Sequence, residues 1–555
     1  MFLHLNKPSL PAIFALSLFL VGCTANYHRR RADREADRII DHAGQAVPGM
    51  TDDFRLEPEP LEPSAELPVA PAELRLFETS EPESPLLLLD LHDALRFAAA
   101  NSHDYQARRE SVFLQALALS AQRSRWHPQL FWRLRGDITY DSNREDGTLA
   151  GQSRPGMEWL LATGGRLAMD LSTTVNRFIL GDPSGAARSA LNLTLTQPLL
   201  RNSRIAAIEP LTQAEMDMLY EVRDFVRFQR RFTVSVLAEY YRALERRQRV
   251  ENQRVNYQNL ERIRARAEAL GQAGRLPEMQ VDRTRQDELG ARDSLEQAKQ
   301  DYLRAVDELK LTLGIRPEIE LLPNPAEMER LSHQEMTAPP VDRARSIRAA
   351  LENRLDLATT RDRLHDAERK VRVARNALRP GLDIILSATA DTAENNHYFN
   401  FAEGSSSGYA RMEADLPLSR ANERSTYRRR LVERDRAERE LSRQRDRVVL
   451  EVTNRWRDLE RAGGSHEIQK RSVELARERV ASTELLFDAG RATTRDVLDA
   501  YGDLLRAQNR LAQTMVDYRI AALELERDMD ILVVDENGQI IESLGFDEIT
   551  KRKEP

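Results

Sequence analysis

Two aspartates three residues apart, Asp496 and Asp499, are the side chains with the clearest chemical potential in this sequence. They follow LFDAGRATT (486–494), where a glycine and two threonines interrupt a long charged helical pattern. Thr493 and Asp496 have the spacing of a capping box, in which Asp496 satisfies the start of the returning helix and complements its dipole. Asp496 therefore has a local structural explanation, whereas Asp499 lies beyond the cap.

No enzyme motif accompanies these carboxylates. The sequence lacks the GxxxxGK[ST], HExxH and CxxC patterns, and its 10 histidines are scattered without metal-site spacing. The pair Gly164-Gly165 in TGGR (163–166) suits a β turn better than a phosphate-binding loop. We therefore expect no enzyme activity, no cofactor and no metal site.

Composition is typical of long helices. Of 555 residues, 31% are charged and 6% are aromatic, and Arg, Glu, Ala and Leu dominate, as in coiled coils. The net charge is −7 with acidic and basic residues interleaved, which argues against a nucleic-acid surface.

The N-terminus indicates export. An apolar run from Ile13 to Val21 is too short to cross a membrane and has signal-peptide proportions. It ends in Leu-Val-Gly-Cys23, which resembles the bacterial lipobox and contains the only cysteine. An ordinary signal peptide that happens to contain a cysteine is the alternative. We predict a signal peptide over 1–22 and a lipid attached to Cys23, with outer-membrane anchoring favoured by Thr24. Residues 23–88, rich in Pro and Glu after a basic run, are expected to form an extended linker.

The rest of the chain is an internal duplication. A shift of 216 residues superimposes AGR (273–275) on AGR (489–491) and gives about fifteen identities in roughly forty-three ungapped positions. A second shift, of 252 residues, aligns the opening helices of the two halves. The difference implies an insertion of about thirty-six residues in the first half, at about 143–187, so the number of strands there stays open.

Each half is predicted to run helix, strands, long helix, turn, helix. Alternating runs at 130–140, 190–196, 382–392 and 408–416 predict strands, and 157–175 predicts an inserted hairpin. The long helices are predicted over 205–270 and 422–487, each about 100 Å at ~1.5 Å per residue. An apolar stripe from Phe225 to Leu244 at helical spacing predicts a packed face.

This pattern resembles the TolC-like outer-membrane efflux family. The resemblance rests on the paired turns AGRLPEMQV (273–281) and AGRATTRDVLDA (489–500), on the paired strand exits TQPLLRN (196–202) and LPLSRAN (416–422), and on 352–384, and it covers about 89–532. It implies a mainly α protein with a membrane β-barrel portion: a homotrimer with an α-helical tunnel and one shared barrel. Two short strand groups cannot close a barrel alone, so closure also requires further chains.

The resemblance also implies the domain plan. It gives a first efflux repeat at 89–315, an equatorial insertion at 316–345, a second repeat at 346–532 and a C-terminal equatorial tail at 533–555. In this family Asp496 and Asp499 would line the periplasmic aperture, where repulsion among six carboxylates would raise some of their pKa values. The tip-turn residues Gly274, Arg275, Leu276, Gly490 and Arg491 would contact a periplasmic adaptor.

One departure concerns the family's closing clamp, whose positions hold Ala492 and Gln280 here. Gating is then expected to use other groups, such as Arg491 or Arg495 with Glu278, or to be less tight.

The function implied is a lipid-anchored exit duct in the outer membrane that extends into the periplasm. An inner-membrane RND pump or ABC exporter would drive it through the adaptor, in a tripartite efflux or type I secretion system. The alternative is a non-transporting coiled-coil lipoprotein that bridges the envelope, which predicts no amphipathic barrel strands. The cargo and the particular pump are not encoded in any recognisable feature.

Overall fold

The computed structural model describes residues 25–50, 54–57, 60–74, 85–141, 146–180, 185–201, 204–333, 336, 342–392, 401, 405–535 and 538–543. Helices dominate these residues, and one six-stranded sheet and two small sheets accompany them. The chain divides into two compact units. The first comprises Met1–Ala46, Phe113–Glu221 and Thr359–Ser442, and the second comprises Val47–Val112, Val222–Ala358 and Arg443–Pro555.

The helices follow the predicted plan closely. They are α1 (Ala25–Gly44), α2 (Pro63–Glu66), α3 (Leu91–Asn101), α4 (His103–Ser124), α5 (Arg204–Gln272), α6 (Glu278–Leu313), α7 (Ala326–Ser332), α8 (Arg343–Asn353), α9 (Leu355–Ala377), α10 (Ala421–Asp488) and α11 (Thr494–Asp528). The two long helices, α5 and α10, contain 69 and 68 residues. Each begins and ends within two residues of the predicted bounds, because proline and glycine mark those ends in the sequence.

The strands are β1 (Leu87–Leu89), β2 (Gln129–Asp141), β3 (Asp146–Leu160), β4 (Arg166–Leu180), β5 (Gly185–Pro198), β6 (Leu321–Pro323), β7 (Gly381–Asp391), β8 (Ser406–Asp415), β9 (Leu532–Val534) and β10 (Ile540–Ser543). In the first unit β2, β3, β4, β5, β7 and β8 form one antiparallel sheet in that order. In the second unit β1 pairs with β6 in parallel, and β9 pairs with β10.

The first half of the chain contributes four strands to the large sheet, and the second contributes two. The inserted hairpin is longer than the predicted 157–175, since β3 and β4 span 146–180. Its turn is the predicted one, with Gly164 at φ 88° and reciprocal backbone bonds between Leu161 and the Gly164-Gly165 pair. The insertion therefore adds two strands rather than a long loop, and the sheet of one chain is open at both edges.

The expected extended linker is wrong for several parts of 23–88. Residues 25–44 form α1, where Ala36, Ile39 and Ile40 are buried. Further along, Val69 bridges to Leu87, and the buried side chains of Leu87 and Leu89 belong to a strand. This segment is rich in proline and glutamate, but its few apolar residues are buried by packing. Composition alone does not reveal that packing.

The second unit is held by a helical core. Phe225, Val236, Tyr240 and Leu244 of the predicted stripe on α5 are all buried. A second cluster joins α8, α10 and α11 through Ala350, Val448, Val452, Leu459, Ala522 and Leu525. Periodic apolar positions thus assemble the bundle that supports the turns at the helix ends.

Candidate functional site

Two turns, residues 273–277 and 489–493, connect the long helices to the helices that return. In the first, Gly274 has φ 72°, and Arg275 N–H donates to the Leu270 carbonyl at 2.9 Å. In the second, Gly490 has φ 68°, and Arg491 N–H donates to the Leu486 carbonyl at 2.8 Å. Both are glycine-terminated helix ends of the Schellman type. Neither position has an atom within 4 Å of an added Cβ, so it is the left-handed backbone, and not a lack of space, that favours glycine there.

The second turn ends in the predicted capping box. Asp496 N–H donates to Thr493 Oγ1 at 3.3 Å, and Thr493 N–H donates to the Asp496 carboxylate at 2.8 Å. Thr493 Oγ1 also donates to that carboxylate at 2.6 Å. The first turn differs, because its helix begins after Pro277 with no side-chain cap.

Asp496 and Asp499 lie on the exposed face of α11. Asp499 pairs with Arg495 at 3.6 Å. One turn further along the same face, Asp503 pairs with Arg479 and Arg506. Sequence reasoning missed Asp503, although its spacing of seven residues from Asp496 was visible. The two predicted aspartates and Asp503 thus form one acidic stripe.

The opposite face of α11 anchors the turns to their helices. Val497, Ala500 and Tyr501 are buried in a cluster with Leu260, Ala291 and Val480. These residues come from α5, α6, α10 and α11, so both tip turns sit on one common core. A rigid base therefore presents the acidic stripe outwards.

Charged contacts near the turns add links that the sequence did not reveal. Arg266 of α5 pairs with Asp488 of α10 and lies 5.0 Å from the Phe487 ring centroid. Arg285 of α6 contacts Glu268 of α5 at 2.9 Å. The first contact joins the two repeats, and the second joins the two arms of one repeat. Arg266 and Asp488 are far apart in sequence, and Glu268 and Arg285 are 17 residues apart across the first turn, so no helical spacing rule predicts either contact.

Two carboxylates near the turns, Asp496 on α11 and Asp287 on α6, have pKa values that are shifted in opposite directions. Hydrogen bonds from the Thr493 hydroxyl and backbone lower the pKa of Asp496 below its usual range. Burial raises the pKa of Asp287 on α6, with Arg283 opposing this and the charge of Asp499 adding to it. Asp499 therefore acts electrostatically on a second helix of the tip.

Gln280 and Ala492 stand at the two positions where the resemblance implies a closing clamp. The Gln280 backbone N–H donates to the Pro277 carbonyl at 2.9 Å, and the Ala492 backbone N–H donates to the Leu486 carbonyl at 3.2 Å. Both thus belong to the turn scaffold. Of the substitutes considered for the clamp, Arg495 makes its described ion pair with Asp499, a residue of its own helix.

The sheet of the first unit has two chemically different faces. Its register places Leu130, Met157, Met169, Leu193 and Ala388 in one cross-strand row. Leu130, Met169 and Leu193 are exposed at 81%, 43% and 43%. Aromatic residues lie near both ends of this face, with Trp132 and Trp159 near the helices and Tyr140 at the far end. An apolar face with aromatic ends is typical of membrane strands.

The other face carries a polar network. Asp170 of β4 accepts hydrogen bonds from Arg154 at 2.9 Å and Asn192 at 3.1 Å, and Thr389 donates to Asn192 at 3.2 Å. Arg188 pairs with Asp391 at 3.3 Å. Polar side chains on one face, opposite an apolar face, suit a water-filled interior.

The predicted lipid-attachment site and the candidate metal-binding and membrane-spanning features concern different parts of the chain. Cys23 lies outside the described residues. Within them, no group of three or more His, Cys, Asp or Glu side chains is arranged to hold a metal ion. Over the same residues, no helix combines the length and apolar character needed to cross a bilayer.

Comparison with known proteins points to one group. Residues 346–528 match the family model for outer membrane efflux proteins. A search of curated proteins finds no match.

Solved structures with the same fold include CusC (TM-score 0.60, 12% identity, 82% of this chain and 95% of CusC). VceC of Vibrio cholerae gives a TM-score of 0.58 at 14% identity over 79% of this chain and 96% of VceC. The CmeC channel of Campylobacter jejuni gives 0.58 at 12% identity over 83% and 89%.

The predicted resemblance to the TolC-like efflux family is confirmed by these matches. CmeC is described as an outer membrane channel, and CusC as a protein that forms a transmembrane channel. At 12–14% identity these likenesses establish the fold, whereas the family match concerns the second repeat. Residues 346–528 therefore resemble the outer membrane efflux protein family, in a chain that has the fold of CusC, VceC and CmeC.

Proposed function

We propose that this chain forms a homotrimeric exit duct in the outer membrane, through which cargo passes passively. The observation that carries the proposal is the six-stranded sheet, which has an apolar face, a polar face and two free edges. Free sheet edges are not tolerated in lipid, so such a sheet needs further copies to close. The rival function, a bridging lipoprotein that transports nothing, predicts no amphipathic strands.

Reconstitution into planar bilayers tests the duct directly. We expect trimers in mild detergent by native mass measurement, and discrete ion-conducting steps after insertion. A monomeric protein that produces no steps would overturn the proposal and favour the bridging function.

The periplasmic aperture is proposed to use Asp499, with Asp496 contributing both charge and helix capping. Three chains would bring these carboxylates near one axis and favour cations. We expect Asp499→Asn to weaken block by multivalent cations such as hexamminecobalt(III) by at least severalfold. Thr493→Ala removes the cap but keeps both carboxylates, so it serves as the matched control. Equal block in wild type and in the double variant Asp496→Ala/Asp499→Ala would refute the aperture assignment.

The exposed tip turns are proposed to contact a periplasmic adaptor. Gly274, Arg275, Gly490 and Arg491 are exposed, and Leu276 is half-buried. Met279 adds an apolar side chain that is 79% exposed beside the first turn. A photo-cross-linker at Met279 should capture a protein with a coiled-coil hairpin, and the same probe at Leu311, 78% exposed on the same helix, should not. Equal capture at both sites would refute the assignment.

The energy source is proposed to be an inner-membrane RND pump or ABC exporter acting through that adaptor. The anchor is proposed to be a lipid on Cys23, embedded in the outer membrane. Cys23→Ala should abolish labelling by a radioactive fatty acid and leave the channel steps unchanged. Labelling that persists in this variant would exclude Cys23 as the attachment site.

A further inference from the structure

The large sheet has six strands, whereas the family pattern of two per repeat predicts four. Four of the six come from the first repeat, because β3 and β4 stand between β2 and β5. The second repeat supplies β7 and β8, and β5 pairs with β7 over nine residue pairs, from Ala190–Asp391 to Pro198–Asp383. The inserted hairpin is thus a full member of the sheet, with 13 residue pairs between β3 and β2 on one side and 12 between β4 and β5 on the other.

The two edge strands are β2 and β8. All ten residues of β8 are exposed, and most of the described side chains of β2 are exposed as well. Even-numbered residues of both strands lie on the apolar face, as shown by Leu130 and Trp132 on β2 and Met412 on β8. An antiparallel partner keeps its faces matched only if even-numbered residues oppose even-numbered residues.

Charge on the polar face distinguishes the edges. Edge strand β2 presents Arg133 and Arg135 with Asp137, whereas β8 presents Glu413 and Asp415 with Arg411. Over residues 129–137 edge strand β2 therefore has more basic than acidic residues on this face, and β8 has more acidic than basic ones, so these segments complement each other. Neither edge complements itself, since β2 against β2 would place arginines together.

We propose that β8 of one copy pairs with β2 of a second copy, antiparallel and with even residues opposite even, so that the trimer closes a barrel of eighteen strands. This inference rests on the trimeric duct proposed above. Three chains following the family pattern would supply twelve strands. Because barrel diameter grows roughly linearly with strand number, the lumen is about 1.5 times wider, in the range where barrels leave an aqueous channel.

Cysteine cross-linking tests the seam in the full chain, whose only native cysteine is Cys23. In a Cys23→Ala background, Met412→Cys on β8 is combined in turn with Leu130→Cys, Trp132→Cys, Leu134→Cys and Gly136→Cys on β2. The last combination tests the register that places Glu413 opposite Arg135. At least one combination should give covalent trimers under mild oxidation, because facing Cβ atoms come within disulfide reach. Met412→Cys with Phe131→Cys or Arg133→Cys is the matched control on the other face and should give none. Cross-linking only in the controls, or in no combination, would overturn the seam.

Barrel width is tested by removing the hairpin. Deletion of 146–185 lets Asp141 oppose Ala186, which keeps the faces of β2 and β5 matched and leaves four strands per chain. Neutral polymers of graded size, added on the barrel side of single channels, should enter the wild-type lumen up to a radius about 1.5-fold larger than in the deletion variant. Electron-microscopic imaging of the wild type, which does not depend on the variant folding, should count eighteen strands.

The possible outcomes distinguish a failure of the eighteen-stranded barrel from a failure of the proposed channel function. Channels in which wild type and variant share one polymer limit, or a wild-type barrel of another strand count, would overturn the eighteen-stranded barrel alone. A wild-type protein without channels would overturn both proposals.

Discussion

The two tip turns reverse the chain in the same way but restart the helix differently. Both place a glycine at φ near 70° and close with the same backbone bonds. The first then uses Pro277 and has no side-chain cap, whereas the second uses the reciprocal bonds of Thr493 and Asp496. Reversal is therefore common to the repeats, and the Thr493–Asp496 capping box belongs to the second turn alone.

The two repeats also differ in their strands, but here the additional feature belongs to the first repeat. Here the first repeat is the elaborated one, with the hairpin β3–β4 that the second lacks. The central pair β5–β7, one strand from each repeat, keeps the same faces throughout. A duplication can thus diverge at its edges and turns while the strands that join its halves stay equivalent.

The largest expected effect tests that equivalence. Leu193→Arg on β5 and Leu386→Arg on β7 each place a charge on the apolar face, and each should cost about 2–4 kcal/mol of folding free energy in a bilayer. Urea titration in lipid vesicles measures the cost. Ser387→Arg, next to Leu386 but on the polar face, should cost far less. A large difference between the first two variants would break the equivalence of the strands.

The glycines should give the next largest effect. Gly274→Ala and Gly490→Ala each force a left-handed backbone onto an L side chain, at about 1–2 kcal/mol. Hydrogen exchange of the adjoining helix ends should accelerate to the same degree in both variants. Gly464→Ala, inside α10 with no atom within 4 Å of an added Cβ, should not accelerate it. Unequal acceleration at the two turns would show that the reversals differ.

Substitutions at the start of the returning helices should affect the two turns differently. Thr493→Ala removes both hydrogen bonds of the Thr493 hydroxyl but keeps the backbone N–H that donates to Asp496. It should cost about 1 kcal/mol, seen as faster exchange over 494–500. Pro277→Ala removes no side-chain cap and should leave exchange over 278–284 nearly unchanged. Similar acceleration at both turns would mean that the capping box contributes nothing specific.

Acidification is expected to have the smallest effect, on the hydrogen-exchange protection of the start of α11. The folded pKa of Asp496 is lowered by Thr493, so its contribution is complete above the unfolded value, 3.8, and is lost as pH falls through the folded pKa. Protection over 494–500 should therefore fall with acidification below about pH 3.8. In Thr493→Ala this dependence should be weaker, and an unchanged dependence would contradict the cause assigned to the shift.

Much of this architecture was predictable, because it depends on local signals. The duplication, the ends of α5 and α10, the TGGR turn and the capping box are each specified by glycine, proline or a short spacing rule. The structure places Asp496 and Asp499 on one exposed face, and their role in lining an aperture stays a prediction.

The missed features depend on neighbours in space. Strand β3 contains Pro155 and few β-branched residues, a composition that argues against a strand, yet its register runs between β2 and β4. Its pairing to β4 is not continuous around Pro155, where the missing N–H leaves a gap. Helix α1 and the Arg266–Asp488 contact likewise arise from packing between distant segments.

The inserted hairpin also limits how such a chain can vary. A single added strand would reverse the direction of every later strand and deliver the following helix to the opposite end of the sheet. Two added strands restore direction and keep each face intact. Sheets of this design can therefore change only in steps of two strands per chain, and the proposed threefold assembly would turn each step into six strands. In that assembly the width of the pore would change in discrete steps, and the proposed barrel stands one step above the family pattern.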